Sequence, residues 1–181
     1  MNTYIALLRG INVSGQKKMQ MAELREGFEG LGFGEVETYV QSGNVAFESE
    51  EGDGDELARQ IEAEIEARFG YGVTVFVRRP EDFERILKGN PFLKRREVDI
   101  DRLYVTFLER APGEEEAGRL AAPEGIADEF ILGEREIFLY CPGGYGTTKL
   151  SNNFFERKLG MAATTRNWKT VNALWEMGRR R

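Results

Sequence analysis

Residues 36–48, VETYVQSGNVAFE, set the fold class because two short runs of alternating apolar and polar residues flank the dipeptide Ser42-Gly43. Alternation with a period of two is typical of half-buried β-strands, and small polar residues between two such runs indicate a hairpin turn. We therefore expect strands at 36–41 and 44–48. This hairpin is the reference point for assigning the rest of the first half of the chain.

Moving outward from the hairpin in either direction along the chain, we expect first a helix and then a strand. Apolar residues recur at helical spacing at Met21, Leu24, Phe28 and Leu31 before it, and at Leu57, Ile61, Ile65 and Phe69 after it. Apolar strand-like runs lie at 4–9 (YIALLR) and 73–77 (VTVFV). The resulting order, β-α-β-β-α-β, is that of a ferredoxin-like unit.

The second half of the chain repeats this order of elements. The expected strands are 103–108, 129–132, 136–141 and 161–165, and the expected helices run from Pro112 to near Pro123 and from Ser151 to Gly160. A last helix carries Trp168, Val171, Leu174 and Trp175. We therefore predict an α+β fold made of two ferredoxin-like halves, 1–79 and 102–181, with a helical linker at 80–101 and an additional C-terminal helix.

The same periodicity predicts the core. The residues expected to be buried are Leu24, Phe28, Ile61, Ile65, Val75, Val105, Leu139, Leu159 and Val171.

Composition excludes several kinds of site. The 181 residues contain no histidine and one cysteine, Cys141, which excludes Ser-His-Asp and Cys-His catalysis, His/Cys zinc sites and an intramolecular disulfide. We predict no metal and no cofactor. No run of 18 apolar residues and no signal-peptide pattern occurs, so we expect a cytoplasmic protein without a membrane partner.

Charge is distributed unevenly along the chain. The net charge is −6, yet residues 142–181 contain eight Lys or Arg and only two Glu. A basic block attracts anionic partners through long-range electrostatics, but it can equally neutralise the acidic remainder of the same molecule. The acidic total argues against broad, nonspecific nucleic-acid binding, whose affinity comes mostly from phosphate neutralisation.

Four polar segments are candidates for a binding site: 9–19, 41–44, 142–152 and 164–170. The first and third contain glycines and lysines between a strand and a helix, a combination suited to holding phosphate or carboxylate. Neither has the spacing of a dinucleotide fingerprint or a Walker A motif. In the last segment Thr165 is expected to cap the final helix, which places Arg166 at a helix start that attracts anions. Ordinary turn chemistry is the alternative for each segment.

Taken together, the segments resemble one family. YIALLRGINVSGQKKMQMAELR, TYVQSGNVAFES, Asn90-Pro91-Phe92 and GGYGTTKLSNNFFERKLGMAATTRNWKTVNAL are similar to the bacterial family catalogued as domain of unknown function 1697. The resemblance implies a two-part α+β fold related to a ferredoxin-like duplication, and it implies no activity, cofactor or catalytic residue. A second glycine is usual after Asn12-Val13 in that family, and Ser14 stands there in this chain.

Three functional hypotheses follow. The leading one is a small anionic or nucleotide-like ligand, bound by Arg9, Asn12, Lys17, Lys18, Ser42, Asn44, Thr148, Lys149, Asn152 and Arg166. The second is a single-stranded nucleic-acid-binding module that uses the basic C-terminal region and stacks bases on the sheet aromatics Tyr4, Tyr39, Tyr104, Phe138 and Tyr140. The third is a ligand-free interaction scaffold. Catalysis is left open, since without histidine a general base would be a carboxylate, a lysine or water.

Overall fold

A computed structural model describes all 181 residues of the chain. The strands are β1 (Asn2–Leu8), β2 (Gly34–Thr38), β3 (Asn44–Ser49), β4 (Val75–Arg78), β5 (Leu103–Leu108), β6 (Glu129–Leu132), β7 (Glu136–Tyr140) and β8 (Ala163–Asn167). The helices are α1 (Met21–Gly30), α2 (Gly54–Phe69), α3 (Pro80–Gly89), α4 (Glu114–Ala117), α5 (Asn152–Leu159) and α6 (Trp168–Arg179). The molecule is thus a mixed α and β protein.

The strands form two four-stranded antiparallel sheets. One has the order β2-β3-β1-β4 and the other the order β6-β7-β5-β8. In each sheet the first strand in the chain lies between the third and the fourth.

Two compact units share the chain. The first contains Met1–Arg85 together with Ala173–Arg181, and the second contains Ile86–Asn172. None of the helices combines the length and the apolar composition that spanning a membrane requires.

The core of the first unit lies between one face of its sheet and helices α1 and α2. Tyr4, Phe28 and Phe47 are fully buried there, and the Phe47 ring contacts both of the others. Helix α2 begins where the Asp53 carboxylate accepts hydrogen bonds from two main-chain amides, and it ends at Gly70, whose φ is +77°.

The core of the second unit lies between α5 and the sheet face that carries Leu108, Ile137 and Leu139. Ser151 caps α5 by accepting a hydrogen bond from the Phe154 amide, as its sequence predicts. All nine residues that the periodicity places in the core are buried, which confirms that prediction.

Several boundaries differ from the sequence prediction, among them the end of β2, the length of α4 and the end of β8. Strand β2 ends at Thr38 rather than at 41, because Val40 has a φ of +50° and the chain already turns there. Helix α4 is one turn, Glu114–Ala117, rather than a helix reaching Pro123. Strand β8 runs to Asn167 rather than ending at 165, since its pairing with β5 continues to that residue.

The predicted cap of the last helix is wrong. Asn167, not Thr165, accepts the hydrogen bond from the Thr170 amide, at 2.8 Å, and α6 begins at Trp168. Thr165 is a strand residue paired with Thr106. Arg166 therefore lies in the sheet and not at a helix start.

Candidate functional site

The loop at 9–19 contains a small β-hairpin. The Gln16 amide donates to the Val13 carbonyl at 2.9 Å, and the Asn12 amide donates to the Lys17 carbonyl at 3.2 Å. The two turn residues, Ser14 and Gly15, have φ values of +51° and +74°, the geometry of a tight two-residue hairpin turn. The connection between β1 and α1 therefore has a regular, hydrogen-bonded structure.

The side chain of Asn12 joins this hairpin to the turn at 41–44. Its Nδ2 donates to the Gln41 carbonyl at 2.8 Å and to the Met19 carbonyl at 3.0 Å, and its Oδ1 accepts from the Met19 amide at 2.8 Å. The two predicted polar segments of the first unit thus lie side by side. The amide of Asn12 is used for this connection rather than offered to a ligand.

Asn44 has a similar internal role. It is fully buried, and its Nδ2 donates to the Tyr39 carbonyl at 2.8 Å and to the Ser42 hydroxyl at 3.0 Å. A buried amide that is hydrogen-bonded across its own turn stabilises that turn. Asn44 is therefore a structural residue of the β2–β3 connection, and Ser42 is its exposed partner.

The cations of the first unit differ in how they are held. Lys17 Nζ donates to the Gly72 carbonyl at 2.7 Å, which connects the hairpin to the loop between α2 and β4. Arg9 is half-buried, and its main-chain amide donates to the Thr74 carbonyl at 3.0 Å. Lys18 is exposed and forms no hydrogen bond or ion pair.

In the second unit, Thr148 fixes the glycine loop. Its hydroxyl donates to Asp128 Oδ2 at 2.5 Å and accepts from the Leu150 amide at 3.1 Å. The Cys141 thiol is buried beside it, 3.7 Å from the hydroxyl. Burial raises the pKa of Cys141 to about 11, so this thiol is not an activated nucleophile.

Asn152 connects the glycine loop and strand β8. Its Oδ1 accepts from the Thr165 hydroxyl at 2.7 Å and from the Tyr145 hydroxyl at 3.4 Å. The segments 142–152 and 164–168, which the sequence singled out separately, meet through these bonds.

The Arg166 side chain lies on the face of its sheet opposite to the face that carries Thr165. Neighbouring strand residues alternate between faces, so Arg166 lies opposite Thr165 and beside Val105, its register partner on β5. The side chain is buried, with Nη1 donating to the Thr164 hydroxyl at 2.8 Å and the Thr165 carbonyl at 3.0 Å. Burial lowers the pKa of Arg166 to about 10.

A surface groove of about 520 Å³ lies beside α5. It is lined by Pro123, Lys149, Phe154, Arg157 and Lys158. Lys149 was a sequence-predicted site residue, whereas Arg157 and Lys158 were not. Their signal was present in the sequence, because they follow Phe154 by three and four positions and so share its helix face.

The aromatic residues considered for base stacking are not exposed. Tyr4 and Phe138 are buried, and Tyr39, Tyr104 and Tyr140 are half-buried. The Tyr4 ring contacts Phe47, and its hydroxyl donates to the Glu51 carbonyl at 2.7 Å. The open stacking face that the nucleic-acid hypothesis needs is therefore not seen.

The ten predicted site residues divide between the two units. Arg9, Asn12, Lys17, Lys18, Ser42 and Asn44 belong to the first, and Thr148, Lys149, Asn152 and Arg166 belong to the second. No group of three or more acidic or thiol side chains has an arrangement that could hold a metal ion.

Comparison with known proteins gives a family and a similar structure. Residues 1–138 match the profile of a family described as "Protein of unknown function (DUF1697)". The solved structure of conserved bacterial protein SP0830 from Streptococcus pneumoniae is 26% identical, with a TM-score of 0.71 over 97% of each chain. No curated protein gives a significant match.

Proposed function

The chain belongs to the DUF1697 family, and from that starting point we propose that it binds a small anionic ligand in the groove beside α5. The ligand class is a phosphate- or carboxylate-bearing molecule, including nucleotide-like compounds. Lys149, Arg157 and Lys158 supply the charge, and Phe154 and Pro123 supply the apolar wall.

The observation that carries this proposal is three cationic side chains on one groove that has no acidic side chain in its lining. Lys149 and Lys158 form no hydrogen bond or ion pair, and Arg157 donates only to the Asn153 carbonyl, at 3.4 Å. The chain as a whole has 31 acidic and 25 basic residues, so unpaired neighbouring cations are not a consequence of overall charge. An anion in the groove relieves their mutual repulsion.

The apolar part of the groove favours a ligand with a planar or hydrophobic portion. Lys158 Nζ lies 6.0 Å from the centroid of the Phe154 ring, so one charge is already held over the apolar wall. The groove volume falls within the range usual for small-molecule sites. An organic phosphate therefore fits better than a bare inorganic ion.

The first unit provides secondary candidates for contacts with the same class of ligand. Arg9, Lys17, Lys18 and Ser42 lie around the hairpin and the neighbouring turn, and Lys18 has its ammonium in solvent. In this proposal Asn12 and Asn44 act indirectly, by holding those two loops.

We also propose that the halves 1–79 and 102–181 are duplicated ferredoxin-like units separated by the segment 80–101. The support is the same order of strands in both sheets and the same succession of elements in both halves. Sequence identity between the two halves is not evident, so the proposal rests on their shared order of elements.

Isothermal titration with adenosine diphosphate, glucose 6-phosphate and inorganic phosphate tests the binding proposal. We expect Lys149→Gln to weaken binding of the organic phosphates by about tenfold, the effect of losing one charge-assisted contact. The matched control is Lys169→Gln, which removes an exposed lysine of the same basic block outside the groove. No binding of any of the three anions, or equal effects of the two substitutions, refutes the proposal.

A further inference from the structure

A second cavity, in the first unit, is independent of the groove beside α5. Its volume is about 440 Å³, and it lies between the start of β1, the Arg79-Pro80-Glu81 segment and the C-terminal residues from Trp175 onward. Both positive and negative side chains line it, in contrast to the wholly cationic groove. A lining with both charges favours a ligand of a different class from the anion proposed for the groove beside α5.

Arg181 gives the cavity a buried hydrogen-bond donor. Its side chain is 10% exposed. Nη1 donates to the Met177 carbonyl at 2.6 Å, and Nη2 donates to the Glu35 carbonyl at 2.7 Å and to Glu37 Oε2 at 3.3 Å. Nε, by contrast, is buried and has no hydrogen-bond partner in the protein. Buried donors are rarely left unsatisfied. An acceptor from a bound molecule would complete the hydrogen bonding of this guanidinium.

Arg79 and Glu81 line the same cavity with opposite charges, yet they form no ion pair with each other. The Arg79 guanidinium donates only to neutral oxygens, the Gly52 carbonyl at 3.3 Å and the Tyr4 hydroxyl at 3.4 Å. Glu81 forms no hydrogen bond or ion pair. One cation and one anion thus remain without a charged partner on one lining.

Trp175 supplies the large apolar surface of the cavity. The Arg179 guanidinium stacks on its ring, 4.7 Å from the centroid, and is also paired with Glu176 at 3.0 Å. The position of Trp175 is therefore fixed by a neighbour whose charge is already compensated. The volume suits a molecule the size of an amino acid or a dipeptide.

We propose that this cavity binds a small zwitterion, an amino acid or a dipeptide. The carboxylate is held by Arg79 and by Nε of Arg181, since guanidinium groups match carboxylate geometry. The ammonium faces Glu81. Simple anions are disfavoured, because the Glu81 carboxylate on the same lining repels them.

Calorimetric titration of the whole chain with each of the twenty free amino acids and with glycylglycine tests the proposal. We expect at least one of them to bind with one-to-one stoichiometry. Acetate has only the carboxylate and methylamine only the ammonium group, so each should bind at least about tenfold more weakly than that zwitterion. Quenching of Trp175 fluorescence should accompany binding and should be lost in Trp175→Phe.

Matched substitutions identify the site. Arg79→Gln and Glu81→Gln should each weaken binding by about tenfold. Arg59→Gln should leave binding unchanged, because Arg59 pairs with Glu56 and does not line the cavity. Lys149→Gln should also have no effect, which separates this site from the groove beside α5. The proposal is overturned if no zwitterion binds, if acetate binds as tightly as the best zwitterion, or if Glu81→Gln binds normally.

Discussion

The Asn12 side-chain nitrogen lies 2.8 Å from the main-chain oxygen of Gln41, and this contact joins two loops that are 29 residues apart in the chain. The same side chain makes two further bonds to the main chain of Met19. Asn12 also has a φ of +53°, a conformation that asparagine tolerates better than most residues. One residue thus sets the arrangement of both polar segments in the first unit.

Asn12→Ala should therefore destabilise the protein by about 2 kcal/mol, from lost hydrogen bonds and a less favourable left-handed conformation. Urea unfolding monitored by circular dichroism measures the effect. Gln16→Ala, in the exposed part of the same hairpin, should change stability by less than about 0.5 kcal/mol. A stable Asn12→Ala variant would show that the loops are held by other contacts.

Val40 is strained, and relieving that strain should stabilise the fold. It is a β-branched residue with a φ of +50° and a 47% exposed side chain. Val40→Gly should raise the unfolding free energy by about 1 kcal/mol, since glycine adopts this conformation without steric penalty.

Val13 is the control for that substitution. Its side chain is 57% exposed, but Val13 is not among the residues with positive φ. Val13→Gly should lower stability, because it adds backbone entropy to the unfolded chain without relieving strain. Thermal unfolding of both variants should give shifts of opposite sign, and shifts of the same sign would contradict the strain at Val40.

Cys141 should be unreactive in the folded protein. Burial raises the pKa of its thiol to about 11, so the reactive thiolate is scarce at neutral pH. Ellman's reagent at about pH 8 should react with the thiol only after urea is added. Rapid labelling of the native protein would show that the strand end at Cys141 opens readily.

Glu116 should titrate at unusually low pH. Both its oxygens accept from Arg110 at 2.7 Å, and the Gly113 amide donates to it at 2.9 Å. These bonds, the Arg110 contact first, lower the pKa of Glu116 to about 2 from 4.5. Its contribution to stability is present above pH 4.5 and disappears as the pH falls toward 2.

Side-chain carboxyl NMR measures this titration directly. Arg110→Gln should raise the pKa of Glu116, and Arg25→Gln, which removes an arginine paired with Glu29 on α1, should not. An unchanged midpoint in Arg110→Gln would mean that the bidentate pair does not persist in solution.

The elements could be predicted from the sequence because their signals are local. Leu24 and Phe28 mark a helix through their spacing, and the short apolar run of Val45, Ala46 and Phe47 marks a strand without reference to distant residues. Boundaries failed where backbone conformation overrides side-chain pattern. Val40 continues the alternation of β2 but lies in the turn.

The roles of polar residues were harder to predict because they depend on contacts between distant segments. In the sequence, Asn12 and Asn44 have the residue type and the loop positions expected of ligand contacts. In the structure, their side-chain amides donate hydrogen bonds to main-chain carbonyls instead. The sequence pattern predicts Arg166 at a helix start, whereas pairing with β5 keeps it in a strand, where its side chain is buried. Arg157 and Lys158 could have been found, since helical spacing alone places them beside Phe154.

The central claim is that the groove beside α5 binds an anionic ligand, and the most direct measurement is amide NMR of the ¹⁵N-labelled protein titrated with adenosine diphosphate. Saturable shifts should appear at Lys149, Phe154, Arg157 and Lys158, and added sodium chloride should weaken the binding because exposed charges are screened. The amide of Lys169, outside the groove, should be unaffected. Absence of saturable shifts at the groove residues, or shifts of equal size at Lys169, would contradict the claim.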